Sequence, residues 1–171
     1  MSGSENHQGI NANHCFFIGS FSDSGKRTKA ILKKAGFSCI TVDATTTGSS
    51  LKVLEKLVTK KAEDGDNLLI SLPEEKISDI SSAEKYHTKL IRLAGFIIGR
   101  YSSKYRFYIE GGRTASDICR SMGWNSLEVL SSSDTGTAGL SPDNEGIEIL
   151  IKPGSYNWPD SVFSGLRKQQ N

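Results

Sequence analysis

The segment best suited to binding an anion is Gly111-Gly112-Arg113-Thr114, which follows an apolar run. Glycine accepts positive φ and lets the backbone approach a ligand closely. A helix beginning here would present free N–H groups and the positive end of its dipole to a phosphate. Arg113 would add a planar fork of donors, while Thr114 would cap the helix and Asp117 would complete a capping box. The same pattern also describes a tight strand-to-helix turn that binds nothing.

A second candidate is the hydroxyl-rich stretch 19–26, which invites comparison with the P-loop pattern G-x-x-x-x-G-K-[ST]. Five residues, rather than four, separate its two glycines, and Arg27 stands where a magnesium-binding hydroxyl belongs. These differences argue against a true P-loop. Ser20 and Ser22 remain candidates for binding a phosphate or a ribose. The alternative is a solvated turn in which Ser24 caps the next helix.

The third candidate is a pair of small-residue loops, 136–139 and 152–155, on either side of one predicted strand. They could form opposite walls of a cleft, or they could be ordinary loops. No Ser-His-Asp order or nucleophile elbow is present, and His87 has no Cys or His at ligand spacing. The sequence therefore predicts no catalytic residue and no metal ligand in this chain.

These segments need a scaffold, and the hydrophobic pattern predicts alternating strands and helices. The predicted strands cover residues 15–18, 38–43, 67–72, 106–109, 127–130 and 147–151. The predicted helices cover residues 26–35, 51–62, 83–101 and 114–122, with a short one beginning near Pro159. The polar stretches 78–83 and 131–139 are predicted to be loops.

Such alternation predicts an α/β, Rossmann-like fold, with a mostly parallel sheet and helices on both faces. The last strand is a candidate for antiparallel pairing at one edge, because no helix is evident in the link before it. Ligands of these sheets bind outside the carboxyl ends of the strands. The segments that begin at Gly19 and Gly111 should therefore share one edge of the sheet.

Length and composition predict a single domain over residues 14–171, preceded by a disordered leader at 1–13. The net charge of +2 is too small for a typical nucleic-acid-binding domain. No apolar run reaches the length of a membrane span, and the polar N-terminus has no signal core. The three cysteines are isolated, which is typical of reduced thiols. We therefore expect a cytoplasmic protein without nucleic-acid or membrane partners.

Taken in order, the segments resemble the C-terminal nucleotide-binding domain of the four-carbon acid sugar kinases, a family long catalogued as a domain of unknown function. The resemblance covers roughly residues 15–166. It rests on the strand that ends in Gly19-Ser20, on FYIEGGRTA at 107–115 with its following helix and Met122-Gly123, and on ILIKPG at 149–154.

The resemblance implies a two-domain, ATP-dependent kinase. In such enzymes an N-terminal domain binds a tetronate-like sugar acid, the C-terminal domain holds ATP with Mg²⁺, and the γ-phosphoryl group crosses the cleft between them. The substrate domain, with its expected catalytic base, would be supplied in cis by a longer chain or in trans. Carried over by position, the nucleotide-binding residues are Ser20, Ser22, Gly111, Gly112, Arg113, Thr114, Gly136, Lys152 and Gly154.

The sequence also departs from the family pattern. Arg113 stands where the family usually has an acidic residue, Thr137-Ala138 replaces Val-Pro, and Asn157 replaces a final glycine. Three hypotheses therefore remain: the ATP-binding domain of a sugar-acid kinase, a degenerate non-catalytic module, and a domain for another phosphorylated or carboxylate metabolite.

Overall fold

The computed structural model describes residues 12–42, 50–75, 77–133, 136–142 and 146–167. Its strands are β1 Asn13–Ile18, β2 Ser38–Thr41, β3 Leu68–Ser71, β4 Tyr105–Glu110, β5 Leu127–Ser132, β6 Ala138–Pro142 and β7 Ile149–Lys152. Its helices are α1 Asp23–Lys34, α2 Ser50–Glu63, α3 Ile80–Tyr101, α4 Gly112–Ser121 and α5 Asp160–Arg167. Of the predicted leader, residues 1–11 lie outside the described residues, and Asn13 opens β1.

All the strands join one sheet in the order β2-β3-β1-β4-β7-β6-β5. The pairs from β2 to β7 are parallel, whereas β6 runs antiparallel to both of its neighbours. The mostly parallel α/β fold with antiparallel pairing near one edge is therefore confirmed.

The prediction of which strand reverses direction was wrong. The last strand, β7, pairs parallel with β4, and the reversed strand is β6. The stretch 131–139, predicted as a loop, contains the end of β5 and the start of β6. Its Ser, Thr and Gly residues gave no apolar alternation, because β5 is largely exposed to solvent on both faces.

Two apolar clusters cover the two faces of the sheet. Cys15 and Phe17 of β1 belong to the larger cluster, which includes the apolar stripes of α2, α3 and α4. Phe16 and Ile18 belong to the smaller one, with residues of α1 and α5. All four β1 side chains are fully buried, as expected for a central strand of a parallel sheet. The core therefore holds the carboxyl ends of β1, β4 and β7 in fixed register.

Helix α3 begins earlier than predicted, within the stretch 78–83. Asp79 caps it by accepting hydrogen bonds from the N–H groups of Ser81 and Ser82. The apolar pattern missed this first turn because its side chains are polar or exposed. No helix among the described residues has the length and apolar character needed to cross a bilayer. The cysteines are free thiols: Cys15 buried, Cys119 half-buried and Cys39 exposed.

Candidate functional site

Three loops meet at the carboxyl edge of the sheet, where β1, β4 and β7 end side by side. The first loop is 19–22 after β1, the second is the turn at Gly111 after β4, and the third is 153–159 after β7. The register aligns Ile18 with Glu110 and Glu110 with Lys152. The Gly111 N–H group donates to the carbonyl of Lys152 at 2.9 Å. The predicted shared edge of the first two segments is confirmed, and the loop that follows β7 joins them.

Side chains of the first loop and of the first turn of α1 bind the backbone of the third loop. The Ser22 hydroxyl donates to the carbonyl of Gly154 at 2.5 Å and lies 2.7 Å from the Ser20 hydroxyl. The Ser24 hydroxyl donates to the carbonyl of Tyr156. Ser22 is also the N-cap of α1, accepting from the Gly25 N–H group. The prediction that Ser24 is the cap was wrong, because its hydroxyl is committed to the third loop.

Gly19 and Gly154 allow these loops to approach each other closely. A Cβ atom on Gly19 would lie 2.1 Å from Oγ1 of Thr114, and one on Gly154 would lie 3.2 Å from Cβ of Ser20. Thr114 itself is almost fully buried. Gly19 and Gly154, which suggested ligand binding in the sequence, are therefore needed for the close packing of the loops.

The N-terminus of α4 has no side-chain cap. Gly111 is its N-cap residue, with φ at 111°, and no side chain accepts a hydrogen bond from the first turn. The predicted cap at Thr114 was wrong, because this residue lies in the first turn with its side chain against Gly19. Gly112 is exposed, and a Cβ added to it would meet no atom within 4 Å. The first turn of α4 therefore presents backbone donors beside open space.

A buried ion pair lies beneath the three loops. Glu110 and Lys152 are both fully buried, and Nζ lies 3.2 Å from Oε1. The other carboxylate oxygen accepts a hydrogen bond from the Trp158 indole at 3.0 Å. Glu110 is the last residue of β4, directly before Gly111, so its charge lies at the base of the α4 turn.

Lys152 connects the first turn of α1 to the third loop. Its ammonium group donates to the carbonyls of Pro153 and Tyr156 at 3.0 and 2.5 Å, and to the Ser24 hydroxyl at 3.2 Å. Burial lowers the pKa of this ammonium group, and the Glu110 carboxylate opposes that shift. The predicted site residue Lys152 thus lies under the site, where it holds backbone carbonyls.

The loop before β6 lies against the third loop. A Cβ on Gly136, whose φ is 76°, would lie 3.8 Å from Cγ of Pro153. Ala138 pairs with Ile151, which places Thr137 next to Lys152 at the same edge. The Thr137 hydroxyl is buried and has no hydrogen-bond partner among the described residues. Since buried hydroxyls are nearly always bonded, this atom is an unused polar group at the edge of the site.

Arg113 belongs to a separate charged cluster between α3 and α4. Its guanidinium lies 2.7 Å from the Glu84 carboxylate and 3.5 Å from that of Asp117. Asp117 also lies 2.9 Å from both His87 and Arg120. The predicted capping box at Asp117 was wrong, because its carboxylate faces these partners. The hydrogen bond with His87 is the main cause that lowers the pKa of Asp117.

Sequence reasoning missed Glu110 and Trp158 as polar parts of this arrangement. Trp158 is buried, and its indole donates a hydrogen bond to Glu110. One signal was available: an acidic residue closes the apolar run 107–109 directly before two glycines. A carboxylate at the end of a central strand requires a buried partner.

No group of three or more His, Cys, Asp or Glu side chains suited to a metal ion occurs in the described parts of the chain. One oxygen of the Glu110 carboxylate accepts the hydrogen bond from the Trp158 indole. The other lies 3.2 Å from the Lys152 ammonium group and has no hydrogen-bond partner among the described residues. Magnesium usually retains several waters and binds substrate phosphates together with one or two carboxylates. This donor set fits Mg²⁺ carried by a nucleotide better than Mg²⁺ in a protein cage.

Among known proteins, solved structures share the fold of this chain. No protein-family model matches the sequence, and no curated protein is similar to it. A DUF1537 protein from Bordetella bronchiseptica, a domain-swapped dimer with bound citrate, superposes with a TM-score of 0.71 at 16% identity, over 91% of this chain and 40% of its own. A Haemophilus influenzae protein assigned to DUF1537 superposes with a TM-score of 0.69 at 13% identity, over 93% of this chain and 40% of its own.

These neighbours define the class of fold. The chain has the fold of part of the DUF1537 proteins, the former domain of unknown function now known as the four-carbon acid sugar kinases. The likeness predicted from the sequence is therefore confirmed at the level of fold. The chain spans about 40% of the length of the solved structures it matches.

Proposed function

We propose that this chain is the ATP-binding domain of a kinase that phosphorylates a four-carbon, tetronate-like sugar acid. The observation that carries the proposal is the meeting of three loops at one sheet edge, beside the uncapped first turn of α4. Free N–H groups at a helix N-terminus bind phosphate well. Phosphoryl transfer depends mainly on such positioning and on charge neutralisation.

Each loop has a part in this proposal. The first turn of α4 from Gly112 to Thr114 would cradle the phosphates through its backbone, with Arg113 at its rim. Ser20 and Ser22 would face the nucleotide from the first loop, and Gly136 and Gly154 would close the site from the other side. Lys152 would act from below by holding the third loop in place.

Magnesium would arrive with the nucleotide, where it would neutralise phosphate charge. The phosphate acceptor and its catalytic base would come from a substrate domain in cis or in trans. The lengths of the structural neighbours leave room for such a domain. The Bordetella protein, of which the match covers 40%, has bound citrate, so a protein that contains this fold binds a carboxylate anion. The chain alone should therefore bind nucleotide weakly and show no turnover.

The test is a calorimetric titration of Mg·ATP into the chain and into two matched variants. Gly112→Asp puts a carboxylate at the first helical residue, where it favours the helix and repels phosphate. Gly99→Asp adds the same charge on α3, where a Cβ also meets no atom within 4 Å. We expect saturable binding to the wild type and to Gly99→Asp, with loss of binding in Gly112→Asp. Absence of binding at millimolar Mg·ATP, with the fold intact, would contradict the proposal.

A second candidate function is a degenerate, non-catalytic binding module. The observation that favours it is the pairing of Arg113 with Glu84 and Asp117, which leaves its guanidinium engaged away from the three loops. The variant Arg113→Asp separates the two functions. Stronger Mg²⁺-dependent ATP binding would favour degeneration, and weaker binding would favour a phosphate site adapted to arginine. Competition between ATP and simple sugar phosphates would reveal preference for another metabolite.

A further inference from the structure

A groove of about 520 Å³ runs beside α4, between this helix and residues of β5 and β7. Its volume lies within the range of small-molecule sites. The lining residues come from α4, from the turn after it, and from β5 and β7, and they include Ser116, Cys119, Trp124, Leu127 and Ile151. None of these residues was predicted to contact a ligand.

The groove begins where the proposed phosphate site ends. Ala115 and Ser116 directly follow the exposed first turn of α4, and Ile151 directly precedes Lys152. An α-helix rises about 1.5 Å per residue, so the line from Gly112 to Cys119 is roughly 10 Å long. A ligand with its phosphates on the first turn can therefore reach into this groove.

The lining combines apolar walls with a few polar groups. Trp124, Leu127 and Ile151 provide aromatic and aliphatic surface. Ser116, Arg120 and Asn125 supply hydroxyl, guanidinium and amide groups at the same groove. Flat aromatic bases stack on indole and guanidinium planes, whereas a chain of phosphates gains nothing from apolar walls.

We infer that this groove receives the base and ribose of the nucleotide whose phosphates bind at the N-terminus of α4. The inference rests on the proposed nucleotide-binding function and makes it more specific. It divides the ligand between two regions: backbone donors hold the phosphates, and the groove distinguishes a nucleotide from any other polyphosphate. ATP should therefore bind more tightly than inorganic tripolyphosphate.

Cysteine protection tests the groove on the unaltered chain. Cys119 lines the groove, whereas Cys39 is exposed on β2 and Cys15 is fully buried. Mg·ATP at about ten times its dissociation constant should slow alkylation of Cys119 by iodoacetamide about tenfold, because only roughly a tenth of the sites are then free. Alkylation of Cys39 should not change, and tripolyphosphate should protect neither thiol.

A groove-filling variant gives a second readout. Ser116 is exposed on α4, so Ser116→Trp can fill the groove without entering the core. It should weaken ATP binding about tenfold, as expected for loss of one stacked base, and leave tripolyphosphate binding unchanged. Arg92→Trp, at an exposed position of α3, is the matched control and should bind ATP like the wild type.

The outcomes separate the two proposals. If calorimetry shows ATP binding while Cys119 stays reactive and Ser116→Trp binds normally, the groove assignment is overturned and the nucleotide site stands. Equal affinities for ATP and tripolyphosphate would likewise overturn the groove. If ATP does not bind at all, the proposed function fails and this inference fails with it.

Discussion

Two ion pairs flank the first turn of α4, and they differ in their burial and in the parts of the chain that they connect. Glu110 and Lys152 lie beneath the turn, fully buried and close together. Arg113 and Glu84 lie at its rim, with more than half of each side chain exposed. The buried pair holds loop backbone through the hydrogen bonds of Lys152, whereas the exposed pair connects the surfaces of α4 and α3.

The contrast shows which charges shape the site. Exposed ion pairs contribute little and are screened by salt, so Arg113 can leave Glu84 for a ligand at small cost. A buried ion pair is costly to separate, because removing one partner leaves an uncompensated charge. Arg113, which the sequence motif singled out, can therefore change its ion-pair partner, whereas the buried pair of Glu110 and Lys152 fixes the positions of the loops.

The largest expected effect comes from breaking the buried pair. Lys152→Met should lower the free energy of unfolding by about 3–5 kcal/mol, because Glu110 would remain buried without its cation. The variant would also lose the hydrogen bonds that the ammonium group donates to Ser24 at the start of α1 and to the carbonyls of Pro153 and Tyr156 in the third loop. Urea unfolding followed by circular dichroism measures the change.

The double variant Glu110→Gln/Lys152→Met is the control for that experiment. It removes both charges and keeps a polar acceptor for the Trp158 indole, so it should regain the part of the lost stability that comes from the uncompensated Glu110 charge. The part that comes from the lost donors to Ser24, Pro153 and Tyr156 should remain lost. A single variant as stable as the wild type would show that the pair is not a determinant of the loops.

A middle-sized effect is expected where Gly19 of the first loop meets α4. Gly19→Ala places a Cβ atom 2.1 Å from the Thr114 hydroxyl oxygen, which should cost about 1–3 kcal/mol of unfolding free energy. Thr114→Ala removes that oxygen, so the double variant should regain part of the loss. Thermal unfolding of the four chains in the cycle measures the coupling, and strictly additive effects would exclude this contact.

The smallest effect concerns Asp117 in the exposed cluster. Its pKa in the folded chain is below the ordinary 3.8, chiefly because of His87. The stabilisation that the Asp117 carboxylate gives the fold is therefore complete above its pKa in the unfolded chain. It is lost as the pH falls through its lower pKa in the folded chain. Asp117→Asn should be less stable by about 1 kcal/mol at neutral pH, and the difference should shrink as the pH falls below about 5 and the Asp117 carboxylate becomes protonated.

Urea unfolding at a series of pH values measures this difference. Glu63→Gln, at an exposed position of α2, is the matched carboxylate control and should show no comparable trend. A difference for Asp117→Asn that stays constant with pH would show that its carboxylate charge does not stabilise the fold.

Local patterns were enough to predict most of the fold. The apolar runs of β1, β3 and β4 and the stripe of α3 are visible in the sequence because the core faces impose them. Glycines after two strands were enough to predict that their loops share an edge. The segment at β6 was missed because it is short and has only one large apolar side chain, Leu140, and because its neighbour β5 has no buried face.

The site was predictable only in part, because side-chain partners are set by tertiary contacts. Thr114 has the residue type of a cap, but the close approach of Gly19 uses its side chain for packing. Ser24 likewise has a cap-forming type, but Tyr156, far along the chain, captures its hydroxyl. The role of Glu110 depends on Lys152 from another strand, and no local pattern carries that information.

The central claim is that the three loops form one phosphate site, and amide chemical-shift mapping tests it most directly. Mg·ATP added to ¹⁵N-labelled chain should shift the amides of Ser20, Gly112, Arg113 and Gly154 together, with one common dissociation constant. The amides of α2, such as that of Lys56, should not move. Shifts confined to another surface, or none at millimolar nucleotide with a well-folded spectrum, would contradict the account.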